Sequence, residues 1–312
     1  MLKKYLRKLT HSALAAVFCG TMAFSGTAAA APDEADLAAF QEAMLTPSKP
    51  DHRIFREQVI FFMPALKADL DFQVGTKKKD ELRVAGSLDI VFTNEKGITT
   101  PMRCPFYVDQ SQKDLTLYFQ MGEEWCKFSA PTVSATAVDI AANPEPEELE
   151  TEAAMLKDVK ILTESDTQRT MLVTLDGNRL LDWLSQHKED ASKDLPEKKT
   201  SEEAERFFQY FRQGLTESNI QYIWTIDKQD WQTITLAVNL SDFVQTTAKA
   251  ALMDPGANWS PQIRELLESL AYYSDLKAHT TFLDPKESSL IEIPKEVRKA
   301  KSMDKIFSNG KK

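Results

Sequence analysis

The sequence predicts an α+β protein whose main element is an antiparallel sheet. Three observations lead to this prediction. Short runs of alternating apolar and polar residues, separated by turn residues, fill the stretch 66–129 and are typical of antiparallel strands. Beyond residue 158, strand-like runs alternate with amphipathic helical segments. A chain of 312 residues is also long enough to bury one large core or two modest ones.

The first 30 residues have the pattern of a secretory signal peptide. Four basic residues lie within the first eight positions, and an apolar stretch of small residues follows over 12–31. An Ala-x-Ala pattern ends at Ala30, and Gly20 and Gly26 make the stretch a poor membrane span. We therefore expect cleavage after Ala30 and an exported protein, located in the periplasm or in the extracellular cell-envelope space.

The net charge limits the classes of partner, and the residue before Cys19 argues against a lipid anchor. Removal of residues 1–30 takes away four positive charges and no negative ones, so the formal net charge changes from −9 to −13. Because an acidic surface repels phosphate backbones, we expect no nucleic-acid partner. Cys19 follows Phe18 and not the small residue that lipid attachment requires, so the mature chain is expected to be soluble, with no transmembrane segment.

The first half of the mature chain is predicted as one helix followed by a β-meander. Residues 33–45 place apolar residues on one helical face and acidic residues at the start, where the helix dipole favours negative charge. The third predicted strand contains Pro101 and Pro105, which donate no ladder hydrogen bond, so we expect it at an edge or a bulge. The predicted strands are 66–75, 82–93, 98–108, 115–121 and 124–129.

The second half mixes both element types. Segment 170–187 reads as a strand that runs into an amphipathic helix, and 233–252 repeats the plan. Ser260 has the position of a helix cap, with proline directly after it. The other predicted elements are an aromatic helix over 204–215, a hairpin over 220–236, a helix over 260–273, and strands over 275–284 and 288–294.

These elements predict a single domain over 31–294. Its first half, 31–138, holds the helix and the meander. The Pro- and Glu-rich segment 139–157 is expected to be an acidic linker, since dense negative charge favours a solvated surface. The second half covers 158–294, and a basic tail that frays is expected over 295–312.

No pattern in the chain predicts catalysis, a metal site or a cofactor. The three histidines of the mature chain are far apart in sequence, whereas zinc sites use closely spaced ligands. The chain contains neither a G-x-S-x-G motif nor a glycine-rich phosphate loop, and its carboxylates are scattered. We therefore expect a protein that is not an enzyme.

The stretch LTLYFQMGEEWCKFS (115–129) is predicted as a β-hairpin. Gly122-Glu123 forms its two-residue turn, with glycine in the first position that a type II′ turn prefers. This turn places Met121 opposite Glu124. It also places Phe119 opposite Cys126.

Cys104 and Cys126 are candidates for a disulfide, because an exported chain with an even number of cysteines favours one. If Val108 faces Leu115, then Cys104 also faces Phe119, and the two cysteines lie on strands separated by one other strand. Their Cα atoms are then ~9.6 Å apart, beyond the ~7 Å limit for bridging. The disulfide and the free thiols both remain open alternatives.

The same register divides the hairpin into one apolar face and one mixed face. The apolar face is either ordinary core that helices cover, or the wall of an incompletely covered apolar cavity. On the second interpretation its residues bind a ligand, and the candidate ligand-binding residues are Leu115, Leu117, Phe119 and Phe128. The mixed face holds Thr116, Tyr118, Gln120, Trp125 and Lys127.

Several short motifs resemble the LolA/LolB and LppX/LprG-type lipoprotein-carrier superfamily. They are the hairpin pattern Y-F-x-M-G-x-x-W-x-K from Tyr118, the strand–helix segment LVTLDGNRLLDWL, and the closing IEIPKEVRKA. The resemblance covers most of 33–300. It implies a strongly curved, half-open antiparallel barrel whose concave face is covered by helices, with an acyl chain held between. The polar insert over 188–215 and the missing lipobox depart from that pattern.

Two functions follow as hypotheses. The first is an exported, non-catalytic protein that binds a lipid, an acylated molecule or another hydrophobic ligand. The second is an interaction module with a filled core and no ligand, in which the acidic segment 144–152 or the aromatic helix 204–215 docks an envelope protein.

Overall fold

The computed structural model describes residues 34–45, 54–78, 81–94, 96–110, 114–131, 155–182, 202–283 and 291–303. The helices are α1 Glu34–Leu45, α2 177–182, α3 Glu202–Glu217, α4 Ser241–Met253, α5 Pro261–Tyr273 and α6 Lys295–Arg298. The strands are β1 Ile54–Met63, β2 Leu66–Lys78, β3 Glu81–Thr93, β4 Thr99–Gln110, β5 Asp114–Met121, β6 Glu124–Pro131, β7 Leu156–Glu164, β8 Gln168–Leu175, β9 Ile220–Asp227, β10 Thr233–Asn239, β11 Asp275–Leu283 and β12 Lys301–Ser302.

In the described part of the chain, all strands join one open sheet. Their order is β12-β6-β5-β4-β3-β2-β1-β11-β10-β9-β8-β7, so β12 and β7 are the two edges. All neighbours pair antiparallel except β12, which pairs parallel with β6. The predicted antiparallel sheet with helices is confirmed at this level.

Strand β1 joins the two halves of the sheet. It pairs with β2 on one side and with β11 on the other. The sequence analysis did not predict this strand or β7. In β1 the residues of one face are apolar except Glu57, which interrupts the alternation that predicts a strand. In β7 charged residues are frequent, so the apolar alternation is weak.

The predicted meander is confirmed, and one of its registers is corrected. Gly122 has a φ of 63°, as the predicted turn requires, and Phe119 lies opposite Cys126. Between β4 and β5, however, Val108 lies opposite Leu117 and not Leu115. The error is two residues. Because side chains alternate with a period of two, an even shift leaves every side chain on its predicted face.

The two prolines lie where β4 has a free side. The β4–β5 ladder extends only from Phe106 to Gln110, so Pro101 and Pro105 pair with β3 alone. The same register places Pro105 opposite Gln120, where proline has no N–H to donate. The Cys104 thiol donates to the Gln120 carbonyl instead, at 3.3 Å. The expected edge position is therefore correct for the first part of β4.

Helices cover one face of the second half of the sheet. Side chains of α1, α2, α3 and α4 pack with those of β7–β11 in one cluster, here called the helix-side cluster. Its fully buried members include Phe40 of α1 and Met171 of β8. Phe40 meets Trp224 edge to face at 5.6 Å. Its other buried members are Ala43, Met155, Val159, Val173, Leu175, Leu180, Leu181, Leu215, Ile220, Trp224, Ile226, Val238 and Ala278.

Polar contacts fix the helices against this half. The buried Arg169 of β8 donates to the Ala39 carbonyl of α1 at 3.0 Å and pairs with Glu42 and Glu164 at 3.2 and 2.9 Å. Helix α5 begins as predicted, because the Ser260 hydroxyl accepts from the Ile263 N–H. The Arg169 contacts anchor the first helix to the sheet, and the Ser260 contact fixes the start of α5.

The C-terminal segment differs from its prediction. Residues 291–294 of the strand expected over 288–294 form no strand. The tail expected from residue 295 instead begins with α6 and β12, and Val297 is buried with Ile293, Ala300 and Tyr118. Apolar residues every three to four positions here anchor the segment on the sheet face that carries Tyr118. Residues 304–312 lie outside the described residues.

The predicted signal peptide and most of the predicted acidic linker also lie outside the described residues. At the end of that linker, Met155 is buried and β7 begins at Leu156, before the expected boundary at residue 158. No helix in the described ranges is both long and apolar enough to cross a membrane.

Candidate functional site

One face of strands β1–β5 carries a second apolar cluster, here called the meander cluster. Its buried members are Phe72, Val74, Val84 and Val108. Partly buried residues pack against it, namely Phe55, Leu70, Phe106, Leu115 and Leu117. Every described member belongs to a strand, whereas the helix-side cluster includes residues from four helices. The two halves of the sheet therefore bury their apolar faces differently.

The meander cluster becomes exposed toward one end of the strands. Val74 is 1% exposed and Val84 is 5% exposed. On the same face, Phe92, Met102 and Met121 are 47%, 48% and 58% exposed. Single exposed apolar side chains are common on protein surfaces, whereas several on one face beside a buried apolar cluster are typical of a binding surface. The face thus passes from a buried interior to an exposed apolar rim.

The opposite face of β1–β3 and of the first part of β4 is largely polar. Arg56 holds Asp71 through two contacts, and this pairing lowers the pKa of the Asp71 carboxyl. Arg103 lies 3.6 Å from Asp89, and Gln58 donates to a neighbouring aspartate. This part of the sheet therefore has one apolar and one charged face, whereas the opposite face of β4–β6 carries Tyr107, Tyr118 and Trp125, which pack with the C-terminal segment.

The four predicted ligand-binding residues share the apolar face. Leu115 and Leu117 pack against the meander cluster, Phe119 lies opposite Phe106, and Phe128 lies opposite Leu117. All four are half-buried. Their predicted common face is therefore observed, and their role toward a ligand stays a prediction.

Both cysteines are free thiols in the structure. Cys126 is buried opposite Phe119, and Cys104 lies on the far side of β5. Burial raises the pKa of the Cys104 thiol, so this side chain is a weak nucleophile. The two sulfurs are not bonded in this geometry, and the choice between disulfide and free thiols stays a prediction.

Gly86 allows two aromatic rings to approach each other across β3. A Cβ at this position would lie 2.5 Å from the Phe72 Cβ and 2.9 Å from the Phe106 ring. The two rings fill the space, with centroids 6.5 Å apart. The missing side chain therefore sets the packing at the middle of the apolar face.

A row of directly opposed side chains crosses the sheet at this level. The strand registers link each member to the next across five strand pairs. The row runs through Glu57, Phe72, Gly86, Phe106, Phe119 and Cys126. It ends in a carboxyl group at β1 and in a thiol at β6, with apolar surface between.

Glu57 is the one fully buried charged side chain among the described residues. Its Oε2 accepts a short hydrogen bond from the Thr280 hydroxyl of β11. Its Oε1 has no hydrogen-bond partner among the described residues. Burial raises the pKa of the Glu57 carboxyl to about 7, and the Thr280 hydrogen bond opposes this shift. The carboxyl is therefore expected to titrate near neutral pH.

Sequence reasoning missed this residue, although a signal was present. In IFREQVIFFM (54–63), Glu57 occupies the same parity as Phe55, Val59, Phe61 and Met63. A carboxylate in an otherwise apolar stripe is expensive to bury and therefore informative. Its partner Thr280 is 223 residues away, so the pair itself is invisible before the fold is known.

The described residues offer no other reactive arrangement. They contain no group of three or more His, Cys, Asp or Glu side chains placed to hold a metal ion. In the aromatic helix α3, Tyr210 is buried and Phe208 and Phe211 pack against the helix-side cluster, whereas Phe207 is 65% exposed. The apolar face with Glu57 is thus the strongest candidate site.

Comparisons with known proteins add little. No protein-family model matches the chain, and no curated protein matches it. Among solved structures, the crystal structure of LprF from Mycobacterium bovis aligns with 85% of this chain and 99% of its own length. The identity is 10% and the TM-score is 0.38, and a likeness at that level carries no argument.

Proposed function

We propose that this protein is an exported, non-catalytic carrier that binds a lipid or another hydrophobic ligand on the apolar face of β1–β6. The observation that carries the proposal is the apolar face itself, which strand residues alone form in the described structure and which ends in an exposed rim. Ligand sites are concave and largely apolar, with few polar groups. We further propose that this face is the concave side of the sheet.

The alternative, an interaction module with a filled core, has less support. The aromatic side chains of helix 204–215 are mostly internal, and the acidic segment 144–152 lies outside the described residues. The exposed apolar rim belongs to the sheet face and is continuous with buried apolar surface, which favours a ligand that extends inward from the rim.

Lipid extraction and native mass spectrometry of the purified protein test the proposal. We expect a co-purifying lipid, or binding of an added acyl-chain probe with micromolar or better affinity. A protein that carries no lipid and binds no acyl probe refutes the proposal.

Variants at the rim locate the site. Phe92→Gln and Met102→Gln remove exposed apolar side chains, so each is expected to cost little stability and to weaken probe binding severalfold. Met253→Gln is the matched control, because Met253 is an exposed methionine at the end of α4, 76% exposed. Equal binding by all three variants places the ligand elsewhere.

A further inference from the structure

We propose that Glu57 selects the ligand, and that its free carboxyl oxygen accepts a hydrogen bond from the hydroxyl group of a neutral, chain-like apolar molecule. This inference rests on the proposed function and deepens it, because it assigns the polar end of the ligand. It starts from three features: the position of Glu57, its unpaired oxygen and the apolar row beside it.

Position is the first step. Glu57 lies at the boundary between the two apolar clusters of the sheet. Two residues before it, Phe55 packs with the meander cluster, and two residues after it, Val59 packs with the helix-side cluster. Across the strands its neighbours are Phe72 and Thr280. Glu57 is fully buried at this boundary, so a ligand reaches its carboxyl only by separating the two clusters along the apolar face.

The hydrogen-bond inventory is the second step. A carboxyl group has two oxygens, and Thr280 satisfies only Oε2 of Glu57. Oε1 is buried and has no partner among the described residues. Native proteins pair nearly all buried polar atoms with protein groups, water or a ligand. An unpaired oxygen on an apolar face is therefore a recognition point for one donor.

Ligand chemistry is the third step. A hydroxyl group donates to a carboxylate and accepts from a carboxylic acid, so it pairs with Glu57 in either form. An ether or an alkane offers no donor and leaves the carboxylate unpaired. A fatty acid brings a second carboxylate, and two like charges at close range are unfavourable. When Glu57 is ionised, the site therefore favours alcohols over ethers and disfavours fatty acids, whereas the protonated carboxyl also donates to an ether oxygen.

Length is the fourth step. The row from Glu57 to Phe119 crosses from β1 to β5, which is four strand spacings or ~19 Å. One leaflet of the ~30 Å hydrocarbon core of a bilayer, about 15 Å, corresponds to one acyl chain. The row is thus long enough for one extended chain whose hydroxyl end lies at Glu57.

Matched probes test the inference. Hexadecanol, hexadecyl methyl ether and palmitate compete with a pyrene-labelled alkane for the wild-type protein at pH 9, where the Glu57 carboxyl is ionised. We expect hexadecanol to bind roughly tenfold more tightly than the ether, which is the effect of one hydrogen bond to a charged group. We expect palmitate to bind most weakly.

Variants add a second readout. In Glu57→Met the preference for hexadecanol over the ether is expected to fall below about twofold, while ether binding persists. Glu265→Met is the control, because it makes the same substitution at an exposed carboxylate of α5, outside the sheet. If Glu57→Met fails to fold, the ranking of the three probes on the wild-type protein still decides the matter.

The outcomes separate the two proposals. Failure of every probe to bind refutes the carrier function and this inference together. Equal affinities for all probes leave the carrier function standing and overturn the inference, since Oε1 then binds an ordered water. Tighter binding of palmitate than of hexadecanol also overturns it.

Discussion

The buried carboxyl of Glu57 makes the stability of this protein depend on pH in a defined window. The fold raises the pKa of this carboxyl from 4.5 to about 7 by burial, so the native state holds the proton more tightly than the unfolded chain. The stabilisation from that proton is complete below pH 4.5 and is lost as the pH rises through 7. Above this window the ionised carboxyl is a constant cost of about 3 kcal/mol.

Glu57→Gln isolates this effect. Glutamine keeps the size of the side chain and an oxygen that accepts from Thr280, and it has no proton to lose. Any cost of its buried amide is the same at each pH. Relative to the variant, the wild-type protein is therefore expected to lose about 2.5 kcal/mol of unfolding free energy between pH 5 and pH 8. Domains are stable by only about 5–15 kcal/mol, so the loss is readily measured.

Urea unfolding followed by tryptophan fluorescence provides the assay. Midpoints and slopes of both proteins are measured at half-unit steps from pH 5 to pH 8. Glu265→Gln, at an exposed position of α5, controls for the loss of one carboxylate charge. If the difference in unfolding free energy between wild type and Glu57→Gln stays constant across this range, the carboxyl is not buried with only one of its oxygens hydrogen-bonded, and the reasoning is refuted.

Further predictions concern the packing of the sheet. Gly86→Ala is expected to lower the unfolding free energy by about 1–3 kcal/mol, because its Cβ overlaps two neighbouring strands; an unchanged thermal midpoint contradicts this packing. Arg169 binds the Ala39 carbonyl of α1, so Arg169→Met is expected to lower the unfolding free energy by about 2–3 kcal/mol and to speed amide hydrogen exchange in α1. Unchanged exchange in α1 would show that Arg169 does not hold this helix in place. Trp125 packs against the cluster that contains Ile293 and Val297. Removal of residues 291–312 is therefore expected to expose Trp125 and to shift its fluorescence to longer wavelength. Because Cys104 and Cys126 are not bonded in the structure, the mass of the protein without residues 1–30 is expected to stay the same on reduction, and a two-dalton increase contradicts the structure.

The meander could be predicted in detail because each strand repeats its own alternation and each turn is short. The β5–β6 register followed from Gly122 alone, since a two-residue turn leaves no freedom. The β4–β5 register had no such constraint, and the prediction erred by two residues. The face assignment of Leu117 and Phe119 survived because it depends only on parity.

The site could be predicted only in part. The apolar face arises from alternation within each strand, which is a local pattern, so it could be predicted from the sequence. Its polar end is not local, because the pairing of β1 with β11 brings Glu57 to Thr280. The prediction for the C-terminal segment was wrong for a related reason. Its basic composition suggests a free tail, and only the fold supplies the apolar surface on which Val297 is buried.

The junction of β1 with β11 also sets an order of events during synthesis. Strand β1 leaves the ribosome early, and its partner Asp275–Leu283 appears only after more than two hundred further residues. Until then one edge of β1 has unpaired backbone groups and an apolar face beside them, a combination that promotes association between chains. Contacts this distant in sequence also slow folding. A chain interrupted before residue 275 is therefore expected to aggregate, and holding chaperones that bind exposed strand edges are expected to favour the incomplete protein over the finished one.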